Sequence, residues 1–486
     1  MKPLIAVGLL ALAWASANAT VSAADAAGND WPRFRGPTGD GQSPAKGLPT
    51  TWSKDRNVLW RTDLPKPLKH ENVPRKELEN LPNAYNPWSS PIVSGGKVFL
   101  ASAGVKREEH KLLCFDLSDG KPLWETLIPP GPIANTAMNA LLENADWVRE
   151  KDGPPRKNTH IATGYSICTP CTDGERVFVT FGTYVLAAVD FQGKILWQKP
   201  LAKTTDKPPS GGHYANETGV TRGLCMSTSP IIYRDFVIQI CESEIMAFDC
   251  KTGDLKYKTE QRFGETWATP VLAPLKGRTL LVHHRSSALV GIDPETGKVI
   301  WTSNVSNYGS SPVHSDGRVF GYMGPSSPVC FAIAVDATGD SQPREPLWTL
   351  AKTGCTHSSP LILGSTLYRY GSCFGLQGMI NGVPDKHKNV PVNDTSALYC
   401  IDAKTGNLAC TIPLPGVSNF TSPVATADGY LYLATGGRSY VIKTGPKPEI
   451  VGTNELDDYN VGPSPAVVDG KLIIRGSAKL WCIGKP

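Results

Sequence analysis

Short apolar runs, each bounded by turn residues, recur along most of this 486-residue chain. The repeat unit opens with a hydroxyl residue followed by proline. The pair stands at Ser90-Pro91, Thr169-Pro170, Ser229-Pro230, Thr269-Pro270, Ser311-Pro312, Ser359-Pro360, Ser422-Pro423 and Ser464-Pro465. After each comes a β-like run, a turn such as "SGGK", "TDGE", "SDGR" or "VDGK", and a second run. Most units close on a phrase seen in "CFDLSDGKPLW" (114–124), "AVDFQGKILW" (188–197), "AFDCKTGDLKY" (247–257), "GIDPETGKVIW" (291–301) and "CIDAKTGNLAC" (400–410). Each phrase predicts a third strand, a tight turn and a fourth strand. The chain therefore reads as eight units of four strands, A to D.

A single four-stranded sheet cannot bury both faces, so the units must stack. Antiparallel blades around an axis are the solution that also limits open edges. In the closing phrase the Asp can accept backbone N–H bonds within the C–D turn, and the Gly supplies a positive φ. The aromatic on strand D can cover the neighbouring blade. It is Trp124, Trp197, Trp301 and Trp348, becomes Tyr257 in the third unit, and gives way to Cys410 in the sixth. The last unit supplies three strands, whereas "NVLWRTD" (57–63) reads as an orphan strand D carrying Trp60. The predicted fold is all-β: an eight-bladed propeller in which the N-terminal strand pairs with the last blade, placing Trp60 in one sheet with Trp481.

Composition adds little to this picture and removes several functions. A chain that is 40% hydrophobic and 19% charged can bury a large core. Residues 1–23 have the form of an export signal: Lys2, an apolar run to Trp14, and small residues ending in "ANA" or "VSA". That run is too short for a membrane span, and no later segment is a candidate. The expected organisation is a signal peptide (1–23), an N-terminal extension (24–56) and the propeller (57–486), soluble in the periplasm or outside the cell. The net charge of +5, or +4 without Lys2, with no long basic run, argues against nucleic acid.

The A-x-D-x-x-T-G-K-x-x-W phrase resembles the tryptophan-docking motif of the PQQ-like (quinoprotein-type) β-propeller repeat family. The family includes PQQ-dependent alcohol dehydrogenases and the non-catalytic BamB propeller of outer-membrane assembly. The resemblance covers about residues 57–486 and speaks to fold far more than to function.

The long insertions, 66–88, 126–164 and 199–224 between blades and 374–396 between strands B and C, all leave the face opposite the short turns. Such loops on a rigid scaffold are where binding concentrates. One of them, "TAMNALLENADWV", has a helical stripe of Met138, Leu141, Leu142, Ala145 and Val148 that ends before Pro154-Pro155. Three positions before each marker proline the chain enters the axial funnel. Trp88, Trp267, His357 and Phe420 stand there, interspersed with Ile167, Ser227, Gly309 and Gly462. With Arg222 and His213 they form the candidate ligand site, where aromatic faces could hold a planar ligand or a peptide side chain. The competing reading is that these rings plug the channel. His70, His110, His160, His213 and His387 also fall in loops of that face, but their spacing does not make a metal set.

Several kinds of chemistry lack their signatures. There is no Cys-Cys pair of the kind that PQQ alcohol dehydrogenases share, no C-x-x-C-H for covalent haem, and no G-x-S-x-G, H-E-x-x-H or EF-hand pattern. The "ICTPC" stretch (167–171), with Cys168 and Cys171, sits on a predicted strand A, where residues three apart face opposite sides. Cys114, Cys400 and Cys482 share one repeat position and read as packing residues. Cys225 and Cys241 flank the Tyr233–Arg234–Asp235 turn symmetrically and are the disulfide candidate. The expected function is a non-catalytic binding or scaffold protein that takes a protein, peptide or glycan on its decorated face, with no cofactor and no metal assigned. The alternative is a PQQ-dependent quinoprotein dehydrogenase with a divergent site, which would use PQQ with Ca²⁺.

Overall fold

The computed structural model describes residues 30–65, 89–103, 110–129, 166–182, 184–201, 228–241, 244–260, 267–275, 278–285, 288–305, 310–323, 329–334, 345–351, 353, 357–372, 396–417, 420–458 and 462–486. They form eight antiparallel sheets, each a strand meander from A to D. Blade one, for example, is Ile92–Ser94, Lys97–Ala103, His110–Asp116 and Pro122–Leu127. Blade six is Leu361–Leu363, Thr366–Ser372, Ser396–Asp402 and Leu408–Pro413. Strands B and C are almost wholly buried because both of their faces meet neighbouring blades, and strand D alternates at the rim. Among the described residues no helix is long and apolar enough to cross a membrane.

The ring closes as the sequence predicts. Val58–Asp63 pairs antiparallel with Lys479–Ile483, with Trp60 opposite Cys482 and Arg61 opposite Trp481. Two N-terminal strands therefore return to the end of the chain. The second, Gln42–Ser43, runs parallel to strand A of blade seven and makes that sheet five-stranded.

The strand D aromatic works as a latch between blades. Trp60 Nε1 donates to the Leu117 carbonyl of blade one at 2.9 Å, Trp124 to Phe191 of blade two at 3.0 Å, and Trp197 to Cys250 of blade three at 3.1 Å. Tyr257 does the same with its hydroxyl, 2.9 Å from the Pro294 carbonyl, and Trp348 reaches Ala403 at 3.1 Å. The turn it lands on explains the glycine. Gly120 has φ +73°, and a Cβ there would stand 2.4 Å from the Trp60 ring, so both conformation and space demand glycine. The Asp of the phrase organises the same turn: Asp249 accepts from the N–H groups of Lys251 and Thr252 at 2.9 Å each. Those bonds and Lys256 hold its carboxyl down to about 2.

The hydroxyl–proline marker has a second role around the axis. The Ser90 N–H donates to Thr169 Oγ1, Thr169 to Ser229, Thr269 to Ser311, Ser311 to Ser359, Ser359 to Ser422, Ser422 to Ser464, and Ser464 back to Ser90. These bonds, 2.8–3.0 Å long, link seven of the eight seams in one rotational sense. The proline holds the residue before it extended, which aims each N–H at the next blade. All these hydroxyl residues are buried, so each bond satisfies a donor that has lost water.

Candidate functional site

Strands A begin on the face opposite the short A–B and C–D turns, and their first residues surround the axis there. Three of the predicted aromatics meet. The Trp267 and His357 rings lie 4.5 Å apart at 43°, and His357 stacks on Phe420 at 5.0 Å with only 3° between planes. They come from blades four, six and seven, and the sequence has Gly309 at the same position of blade five. The three rings are half-buried and make one continuous aromatic wall at the axial mouth. Behind each, the marker proline and the ring of hydroxyl-linked backbone bonds hold the chain. Ile167 and Gly462 occupy the same level in blades two and eight. Trp88, Arg222 and His213 lie outside the described residues, as do Ser227, Gly309, the helical stripe at 138–148, the insertion 66–88 and, except for Ser396, the insertion 374–396. The insertions 126–164 and 199–224 lie outside them except at their ends.

The opposite end of the axis is occupied by the N-terminal segment, which sequence reasoning left as an extension without a role. Trp31 is buried and bridges to Val93 of blade one, and the Thr172 N–H of blade two donates to the Pro32 carbonyl. Arg35 is buried further across, donating to the Asp40 carbonyl at 2.8 Å and to the carbonyl of Pro360, the marker proline of blade six, at 2.6 Å. Loss of water pushes its guanidinium down to about 10. Gly41 and Gln42 then reach blade seven. The segment thus crosses the axis beneath the hydroxyl ring. The signal was present in "WPRFRGPTGDG" (31–41), where Trp and Arg sit among turn residues, but nothing local says which blades they would meet.

Other readings need correction. His110 is not a loop residue: it starts strand C of blade one, is fully buried, and stacks on Phe181 at 4.7 Å. His70, His160 and His387 lie outside the described residues. The hairpin of blade three pairs Ile231 with Ile238 and Tyr233 with Phe236, so its turn is Arg234–Asp235 and not centred on Tyr233. Continued outward, that register brings Thr228, not Cys225, opposite Cys241; Cys225 itself lies outside the described residues. Cys168 and Cys171 are buried, and desolvation raises the Cys171 thiol well above its ordinary range, which leaves it unreactive.

A quinone held with Ca²⁺ needs carboxylates beside a flat pocket. The described residues of the mouth are Trp267, His357, Phe420, Ile167 and Gly462, none of them acidic. Among the described residues no group of three or more His, Cys, Asp or Glu could hold a metal ion. A cavity of about 1160 Å³ lies elsewhere, on the short-turn face between blades six and seven, lined among others by Asp40, Tyr368, Thr426 and Gly445.

The family model described as outer membrane protein assembly factor BamB matches residues 53–368, more than half of the chain. The chain belongs to this BamB family. Trp267 and His357 lie within the matched stretch, and Phe420 lies beyond it. No curated protein matches the sequence. Among solved structures, the chain is similar to the quinohemoprotein alcohol dehydrogenase of Comamonas testosteroni at 12% identity and TM-score 0.57, covering 95% of this chain and 82% of that one. A europium-containing methanol dehydrogenase gives 12% and 0.55, with coverage of 94% and 98%. BamB from Moraxella catarrhalis gives 13% and 0.49, with coverage of 82% and 94%. At these identities the two dehydrogenases establish the fold of this BamB-family chain and nothing of its chemistry.

Proposed function

We propose that this protein is an exported, non-catalytic propeller that binds a polypeptide segment on the loop-bearing face, seating an apolar or aromatic side chain against Trp267, His357 and Phe420. The observation that carries the reading is the aromatic wall itself. Three rings from three blades converge at an axial mouth whose far end is filled by the N-terminal segment. Flat apolar faces backed by a rigid ring favour stacking with a planar or proline-like group over bond chemistry. Membership of the BamB family supports a protein ligand over a glycan. The export signal read in residues 1–23 supports an encounter in the periplasm or outside the cell.

The test is binding of a fluorescent peptide array rich in aromatic and proline residues to the purified full chain. Trp267→Ala and His357→Ala should each weaken capture at least tenfold while their melting curves stay near that of the parent. Asp316→Asn, in a short turn of the opposite face, should bind as the parent does. A peptide footprint confined to the short-turn face would refute the site. Dye reduction that requires added PQQ and Ca²⁺ and disappears in Trp267→Ala would refute the non-catalytic role while keeping the site.

A further inference from the structure

Blade six lacks the latch aromatic. Its strand D carries Cys410 where six of the blades have an aromatic (blade seven has Gly452 there, opposite Val441), and the residue directly opposite Cys410 on strand C is Cys400. Facing positions on adjacent antiparallel strands have Cα atoms about 5.5 Å apart at a hydrogen-bonded pair, inside the limit of about 7 Å for a disulfide. Ser396 and Leu414 continue the same register, the Leu414 N–H donating to the Ser396 carbonyl, which puts the Cys400–Cys410 pair in that hydrogen-bonded phase.

Their surroundings differ. Cys400 is buried, and desolvation followed by its neighbour Cys410 pushes its thiol upward, so it stays protonated. Cys410 is half-buried at the blade's outer edge. The seam beyond it is under-filled: Gly445, in the C–D turn of blade seven, has no atom within 4 Å of where a Cβ would stand, and it lines the 1160 Å³ cavity with Tyr368, Thr444 and Pro446. The corresponding seams at Gly120, Gly193, Gly253 and Gly406 are filled by a tryptophan ring.

We infer that Cys400 and Cys410 are a disulfide-forming dithiol, a covalent cross-strand staple in a blade whose strand D carries a cysteine in place of the latch aromatic. The oxidant class is a disulfide. The Cys410 thiolate attacks one sulfur of the oxidant, the oxidant's S–S bond breaks, and one thiol leaves. The Cys400 sulfur, giving up its proton, then attacks the Cys410 sulfur and expels the second thiol. Two protein thiols are oxidised and one disulfide is reduced to two thiols, so electrons and protons balance.

Oxidised glutathione is the probe. The folded full chain is equilibrated with it, quenched in acid, unfolded, alkylated with iodoacetamide and digested with trypsin. Cleavage after Lys404 separates the two cysteines into different peptides. The expected product is the peptide ending at Lys404 joined to the one starting at Thr405, and dithiothreitol should release them. Cys400→Ser should instead retain one glutathione on Cys410. Alkylation of both cysteines in the parent, or a glutathione adduct on parent Cys410 that never transfers to Cys400, overturns the inference.

Discussion

Replacing Trp60 with alanine tests whether the ring is held shut by its latch. The Trp60 side chain is 8% exposed, and a tryptophan buries up to about 250 Å². At about 25 cal/mol per Å² that is an upper bound near 6 kcal/mol, and core truncations of this size cost about 3–5 kcal/mol in practice. The hydrogen bond to the Leu117 carbonyl adds about 1 kcal/mol. A loss of about 4 kcal/mol is therefore expected for Trp60→Ala. Trp60→Phe keeps most of the area and removes the bond, so about 1–2 kcal/mol should go. Urea unfolding followed by circular dichroism measures both. Hydrogen exchange supplies the second readout: amides of Lys479–Ile483, which pair with Val58–Asp63, should lose protection in Trp60→Ala but not in Trp124→Ala, the same latch at an internal seam. A Trp60→Ala midpoint equal to the parent's, or unchanged protection in that strand, would refute closure by this contact.

Acid should weaken blade four. Burial lowers His283 to about 3, and burial with the neighbouring His283 holds His284 well below its ordinary range; both are neutral when folded and bind protons when unfolded below about pH 6.5. Stability contributed by the neutral rings is thus fully present above that pH and declines as pH falls toward 3, by roughly 2 kcal/mol per histidine at pH 5; a flat urea midpoint between pH 7 and 5 would contradict this. Gly406→Ala should cost about 2 kcal/mol or more, because φ is +76° and the Trp348 ring stands 2.6 Å from the new Cβ; calorimetry checks it. Gly291→Ala should also destabilise, by about 1–3 kcal/mol, since its Cβ would stand 2.3 Å from Trp301.

What could be read from the chain was whatever repeats locally. The strand alternation, the Asp-turn-Gly phrase and the strand D aromatic lie within a dozen residues of each other, so the blades and the closure by Trp60 were legible. Their partners across the axis were not. Arg35 meets Pro360, and Gln42 pairs with Ala425, contacts that no periodicity encodes. The hydroxyl of the marker pair was visible as a pattern, yet its bond goes to a different blade, so its role emerged only in three dimensions. The aromatic wall stood between these cases. Its positions followed from the marker, and Trp267, His357 and Phe420 do meet, while Arg222 and His213 rested on loop position alone. His110 was misplaced because the strand it starts gives no apolar alternation at its first two residues, His110 and Lys111.

The return of Val58–Asp63 to Lys479–Ile483 sets an order on the making of the molecule. A ribosome releases the first strand of the closing blade some four hundred residues before the strands it must join. Until then the growing chain is an open arc with an unpaired strand at its leading end, and every later blade can fold on the one before it. The final step joins the oldest and the newest segments at once, together with Arg475, whose guanidinium reaches the Ser89 and Ala101 carbonyls of the first blade. Pairing over so long a stretch of chain is slow, and an exposed strand edge invites the wrong partner in the meantime. Whatever handles this protein during synthesis must keep that one strand waiting.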